Sequence, residues 1–125
     1  MQTPIHLGLS WLLGYKLENI RDRRLVAWAG VIPDLDGLSL LFGVESYARY
    51  HHALTHGLVA VVALAIVWTL LARRRLWVLF LSITAFHLHV VCDLLGSGAA
   101  GEAWPIYYFF PMSYNETLWK FGWDL

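Results

Sequence analysis

The sequence is poor in charge. Only 14% of its 125 residues are Asp, Glu, Lys or Arg, whereas a soluble domain carries about 25%. So few charges cannot cover a water-facing surface, which argues against an ordinary soluble protein. The formal net charge is zero, so there is no electrostatic basis for a nucleic-acid partner.

Cysteine is nearly absent. Cys92 is the one cysteine, which rules out an internal disulfide and a thiolate-rich zinc site. A signal peptide is also not indicated, because no basic residue precedes the first apolar stretch and no small-residue cleavage site follows it. We therefore expect the first segment to remain in the mature protein.

Long apolar runs are abundant instead. Residues 53–72 and 76–95 are two 20-residue runs separated by three arginines, and about 20 apolar residues cross a bilayer core as a helix. They predict an antiparallel helical hairpin. Two shorter helices are expected before it, over about 4–17 and about 25–32. The second should stop at Pro33, because proline clashes with a continuing helix.

The C-terminal tail is rich in aromatic residues of the kind found at membrane interfaces, namely Trp104, Tyr107, Tyr108, Phe109 and Phe110. We therefore predict an all-α fold with residues 1–125 in a single domain. The expected architecture is a small integral-membrane bundle of about four antiparallel helices followed by this aromatic-rich tail.

Basic residues concentrate at one end of that bundle. The turns at 16–24 and 73–75 should lie at the same end, and together they hold seven of the nine basic residues. The positive-inside rule places such an end in the cytoplasm. The pattern predicts a protein of a prokaryotic cytoplasmic membrane, with membrane lipids around it and its other end at the outer face.

Histidine and aspartate concentrate at that other end. Nine such residues fall there: His6, Asp34, Asp36, His51, His52, His56, His87, His89 and Asp93. Histidines used only for packing would have no reason to choose one end. Ionisable groups in or near a membrane are costly and are usually functional.

Three local patterns in this set are compatible with metal binding. His89 and Asp93 are four residues apart, which places them on one helix face; a His–Asp hydrogen bond without metal is the alternative. Asp34 and Asp36 flank a rigid turn and could share metals, or could simply cap a polar turn. Three histidines within residues 51–56 are difficult to explain by core packing, so metal binding is preferred there.

Imidazole and carboxylate ligands without thiolate suit zinc, with manganese or iron as alternatives. Seven or more potential ligands exceed one tetrahedral site. We therefore expect a divalent metal, preferably one or two Zn²⁺ ions, with some of these residues surrounding the ligands.

The order of these motifs resembles a known family. The succession is similar to that of the YdjM-type membrane-bound, metal-dependent hydrolases. It consists of His6, the segment 32–36, His51 with the pair 55–56, His89 with Asp93, the segment 96–98 and the pair 104–105. That family is similar in motif order to the all-helical zinc-dependent phospholipase C superfamily, which cleaves phosphoesters.

The resemblance implies seven metal-site residues: His6, Asp34, Asp36, His51, His56, His89 and Asp93. We expect Asp34 or Asp36 to bridge metals or to orient the attacking water, which makes them the candidate catalytic residues. His52 stands where the family commonly has Arg, and we assign it, with His87 and Glu102, to substrate binding or to the surroundings of the ligands.

The resulting hypothesis is a membrane-bound hydrolase that uses a metal-activated water on an ester or phosphoester, with a small or lipid-like substrate. A non-enzymatic metal-binding or metal-transport protein is the main alternative, although a transporter should hold its ligands near mid-membrane. A structural membrane protein whose polar residues bond only to each other is the third.

Overall fold

The computed structural model describes residues 3–96 and 105–113. Their regular structure is entirely helical and includes no strand, which confirms the all-α prediction. The elements, in chain order, are α1 (Thr3–Leu13), α2 (Ile20–Ala29), a 3₁₀ segment (Ile32–Phe42), α3 (Val44–Tyr50), α4 (Leu58–Leu71) and α5 (Arg75–Gly96).

The second helix begins earlier than predicted. Asn19 Oδ1 accepts hydrogen bonds from the backbone N–H groups of Arg21 (3.0 Å) and Asp22 (3.3 Å), so Asn19 is an N-cap that starts α2 inside the expected charged turn. The helix ends at Ala29, and the 3₁₀ segment with Pro33 near its start follows at an angle of 54°. The stretch between the predicted second helix and the predicted hairpin therefore holds the 3₁₀ segment and α3.

The predicted hairpin is present, but its two helices differ in length. α5 is long and apolar enough to cross a membrane over Arg75–Leu95, whereas α4 has only 14 residues, or about 21 Å. Residues 53–57, predicted as the start of this helix, form part of a turn before it. α2 and the 3₁₀ segment, although bent relative to each other, are together long and apolar enough to form one broken span. The described residues thus offer one clear span, or two with that pair, and four full crossings are not shown.

The core lies around α5, which packs against both α2 and α4. Val26, Val78 and Phe86 are completely buried there. The outer faces of α4 and α5 carry large exposed apolar side chains, such as Leu70 and Phe80. An apolar outer surface of this kind suits lipid better than water.

A buried carboxylate joins the two arginine-rich turns. The two Asp22 oxygens accept hydrogen bonds from the backbone N–H groups of Arg73 and Arg74, each at 2.9 Å, and Asp22 is fully buried. Asp22 thereby caps the start of α5 from another helix. The two turns consequently meet at one end of the molecule, opposite the histidines described next.

Candidate metal centre

The His and Asp residues predicted from sequence converge from four parts of the chain. α1 supplies His6, the 3₁₀ segment supplies two aspartates, the turn before α4 supplies three histidines, and α5 supplies His89 and Asp93. Most of this set is buried, namely His6, Asp36, His52, His56, His89 and Asp93. Burial of so many ionisable groups requires that they compensate one another or bind an ion.

Asp93 lies at the middle of the cluster. Its Oδ1 is 3.2 Å from His6 Nε2, and its Oδ2 is 2.9 Å from His89 Nε2 and 3.3 Å from His56 Nε2. The contact with His89 is the helical i, i+4 pair noted in the sequence. One carboxylate therefore meets three imidazoles from three different elements.

Two of these imidazoles are oriented by their other nitrogen. His89 Nδ1 is 2.7 Å from the Gly30 carbonyl oxygen and donates to it. His56 Nδ1 is 2.9 Å from Asp36 Oδ2. The two Nε2 atoms, 3.3 Å apart, consequently face each other beside Asp93. Such holding of Nδ1 is typical of histidines that ligate a metal through Nε2.

Gly30 allows this approach because it has no side chain. A Cβ there would lie 1.7 Å from Ser10 Oγ and 2.7 Å from Ser10 Cβ. α1 and α2 can therefore pack closely only with glycine at this position. That packing brings His6 into the same region as the carbonyl that holds His89.

Asp36 supports the histidines from outside the cluster. Its Oδ2 accepts from the backbone N–H of His52 at 2.7 Å as well as contacting His56, and its Oδ1 is 3.0 Å from His51 Nδ1. Thr55 fastens the same turn to the 3₁₀ segment by donating to the Pro33 carbonyl at 2.5 Å. Gly57 is the N-cap residue of α4.

Two overlapping groups of side chains could hold a metal ion. The first is His6, Asp34, His89 and Asp93, and the second is His52, His56 and Asp93, with the ligand atoms of each group within 4.8 Å of one another. Asp93 belongs to both groups. A carboxylate shared in this way can bridge two ions, as the excess of ligands in the sequence suggested.

The donors fit a small divalent cation. Ligand atoms about 2.0–2.1 Å from a tetrahedral zinc are about 3.3 Å apart, and the contacts around Asp93 and His89 range from 2.9 to 3.6 Å. Within residues 3–96 and 105–113, the buried atom Asp34 Oδ2 has no hydrogen-bond partner, and His6 Nε2, although 3.2 Å from Asp93 Oδ1, is not oriented to form a hydrogen bond with it. A bound metal ion would accept the lone pairs of nitrogen and oxygen atoms that lie together without hydrogen bonds.

The surroundings of His52 and His56 shift the pKa values of the two imidazoles in opposite directions. Burial, then the neighbouring imidazoles of His56 and His51, lower the pKa of His52 to about 3. Burial also opposes the charge on His56, but the hydrogen bonds to Asp36 and Asp93 outweigh it and raise its pKa. His52 also has a backbone φ of 63°, an uncommon left-handed conformation that often marks a functional site.

Three further predicted site residues belong to neither ligand group among the described residues. His51 contacts Asp36 and stacks on the Tyr47 ring with centroids 4.4 Å apart, so it borders the cluster without entering either ligand group. His87 lies 2.8 Å from both the Ile83 carbonyl and the Tyr108 hydroxyl. Glu102 lies outside the described residues.

Two contributors to the site have no signal in the amino-acid sequence. One is the Gly30 carbonyl, since a backbone oxygen has no residue-type signature. The other is Tyr108, whose carbonyl accepts from Leu58 N at 2.7 Å and whose hydroxyl contacts His87. The sequence predicts Tyr108 only as one of several aromatic residues at the membrane interface.

Comparison with known proteins gives one informative match. No curated protein and no solved structure matches the chain. A family described as YdjM inner membrane protein matches residues 1–123. That match covers almost the whole chain and agrees with the order of the His and Asp motifs. The chain belongs to the YdjM inner membrane protein family.

Proposed function

We propose that the protein is a metal-dependent hydrolase of the inner membrane that cleaves an ester or phosphoester, with a lipid as the preferred substrate class. The observation that carries the proposal is Asp93, a buried carboxylate in contact with three imidazoles and common to two ligand groups. A divalent cation bound there, preferably zinc, would supply Lewis acidity and make water a better nucleophile at neutral pH.

The chain's own residues divide the remaining work. His6, His89 and Asp93 would hold one ion, and His52, His56 and Asp93 a second. Asp34 is the ligand-group acid with access to solvent, since 22% of its side chain is exposed. Its buried Oδ2 has no partner among the described residues. Asp34 is therefore the group best placed to accept the proton of the attacking water.

Asp36 has a different role in this proposal. Its two oxygens are occupied by His51, His56 and the backbone of His52, so it is a positioning residue that fixes imidazole orientation. The arginine-rich end joined by Asp22 faces the cytoplasm under the positive-inside rule. The metal centre would then open toward the outer face, at the depth of lipid headgroups.

Activity assays on the purified full chain test this proposal. Zinc-loaded protein should hydrolyse a chromogenic phosphodiester or carboxylic ester, and a chelator should abolish the reaction. Asp34→Asn should lower kcat by about 10²–10⁴-fold while metal content stays at the wild-type level. Glu45→Gln, which removes an exposed acid at the same end, is the matched control and should leave kcat unchanged.

The same measurements separate the hydrolase from a carrier. Stoichiometric metal in a protein that hydrolyses neither substrate class would favour metal binding or transport without catalysis. Absence of metal, with the fold retained in His89→Ala, would contradict both functions.

A further inference from the structure

A second site lies beside the metal centre. A cavity of about 460 Å³ is lined by Ala48, Arg49, Tyr50, Ala53, Tyr107 and Phe110. That volume is within the range of small-molecule pockets, about 300–1,000 Å³. None of the lining residues belongs to either ligand group, and the proposed hydrolysis uses none of them.

Arg49 gives the cavity its charge. Within residues 3–96 and 105–113, the arginine–carboxylate ion pair is that of Arg74 with Glu18 at the opposite end, so no carboxylate there neutralises Arg49. Glu45 is one helical turn earlier on α3, but the Arg49 guanidinium lies over the Tyr50 ring, with its Cζ 5.9 Å from the ring centroid. An unneutralised guanidinium in a concave site is a ready partner for a phosphate group.

The other walls combine aromatic and apolar surface. Tyr50 and Tyr107 present rings with hydroxyl groups that can donate to an anion. Val44 is one turn before Ala48 on α3, so the two lie on the same helix face. Leu41, Phe42 and Val44, just before the cavity residues in the chain, are 81%, 82% and 74% exposed. A cation and exposed apolar side chains in one stretch of chain match a molecule with an anionic head and an apolar tail.

The cavity adjoins the turn that carries the histidines of the metal centre. Ala53 follows His52 in the chain, and Tyr107 N donates to the His52 carbonyl at 3.2 Å. The same turn that carries the histidines therefore forms one wall of the cavity. A ligand held by Arg49 would lie alongside that turn.

We propose that this cavity binds the phosphate-bearing headgroup of an anionic membrane phospholipid, with Arg49 as the anchoring cation. The acyl chains would lie against the exposed surface of Leu41, Phe42 and Val44. The proposal does not depend on hydrolysis, because the bound lipid can be a substrate or a permanently associated molecule.

Native mass spectrometry of the purified full chain tests the site with three probes: phosphatidylglycerol, phosphatidylcholine and glycerol phosphate. Wild-type protein should bind phosphatidylglycerol in preference to the other two. Arg49→Gln should weaken that binding by about tenfold to hundredfold, the usual value of a charged hydrogen bond. Arg49→Lys should retain part of it as a point charge.

Two variants serve as matched controls. Arg75→Gln removes an exposed positive charge at the opposite end and should leave phosphatidylglycerol binding unchanged. Glu45→Gln should leave it unchanged or tighter, because it removes the nearest competing acid on α3. Metal content equal to wild type in Arg49→Gln shows that the neighbouring centre is still folded.

Three results would overturn the proposal. They are equal losses in the Arg49 and Arg75 variants, no loss in either, or Arg49-dependent binding of glycerol phosphate that is as tight as that of the lipid. The last result would indicate a site for a soluble phosphate compound. Because the assay includes no hydrolytic step, none of these outcomes bears on the proposed catalysis.

Discussion

Asp36 and Asp93 are both buried aspartates of the centre, and the structure predicts different results when each loses its charge. Removal of the Asp36 charge should weaken metal binding, whereas removal of the Asp93 charge should abolish it. Asp93 contacts the Nε2 atoms of His6, His56 and His89, so it is expected to be a ligand. Asp36 contacts His56 through Nδ1, the nitrogen that faces away from the cluster. It should therefore tune metal affinity without binding the ion.

The expected magnitudes follow from these positions. Loss of a carboxylate that orients a ligating histidine typically costs 10- to 100-fold in metal affinity, or about 1.4–2.7 kcal/mol. In Asp36→Asn, the amide oxygen can still accept one hydrogen bond. The NH₂ group that replaces the other oxygen would instead face N–H groups from which the carboxylate now accepts hydrogen bonds. We therefore expect a loss of affinity in the upper half of that range. Asp93→Asn should instead lose stoichiometric binding, because it removes the anion common to both ligand groups.

Competitive titration of detergent-purified protein with a chromogenic zinc chelator measures both quantities. Asp36→Asn should retain the wild-type number of ions with a Kd raised by about 30- to 100-fold. Glu45→Gln, an exposed acid on α3, should match the wild type. If Asp36→Asn lost stoichiometric zinc while Asp93→Asn kept it, the assignment of ligand and support would be reversed, and the reasoning from imidazole orientation would be refuted.

Three further predictions concern stability. Zinc at 100 times its Kd should raise the free energy of unfolding by about 2.7 kcal/mol, measured by thermal denaturation with and without chelator, and Asp93→Asn should abolish the difference. Asp22→Asn should lower the unfolding free energy by about 2 kcal/mol without changing metal affinity, because it weakens the cap on α5 at the other end; a fall in metal affinity would contradict the separation of the ends. Gly30→Ala should cost about 1–3 kcal/mol through the clash with Ser10 and should also weaken zinc binding, whereas unchanged stability would show that the two helices can separate freely.

The fold was predictable where periodicity or composition is strong. The long apolar run over 76–95 corresponds to α5, whose bounds differ from it by one residue at each end. The run over 53–72 was equally apolar, but its first residues are held by tertiary contacts: Thr55 donates to Pro33, and Leu58 N donates to Tyr108. Composition could not reveal these contacts, because their acceptors are backbone carbonyls distant in sequence.

The membership of the site was more predictable than its internal arrangement. Placement of His and Asp at one end of the bundle depends only on helix direction, and the structure brings eight of the nine together around one centre, with His87 apart. The division between ligand and support depends on side-chain rotation. Sequence spacing cannot show that His56 directs Nδ1 toward Asp36 and Nε2 toward Asp93.

Asp22 shows why a buried acid is not by itself a sign of function. Asp22 and Asp93 are both buried aspartates at helix ends, one at each end of the molecule. The partners of Asp22 are backbone N–H groups at the start of α5. A backbone N–H group has no lone pair with which to bind an ion. The partners of Asp93 are imidazole nitrogens, which can exchange a proton for a metal. The chemistry of the partner therefore gives the first a structural role and makes the second a candidate metal ligand.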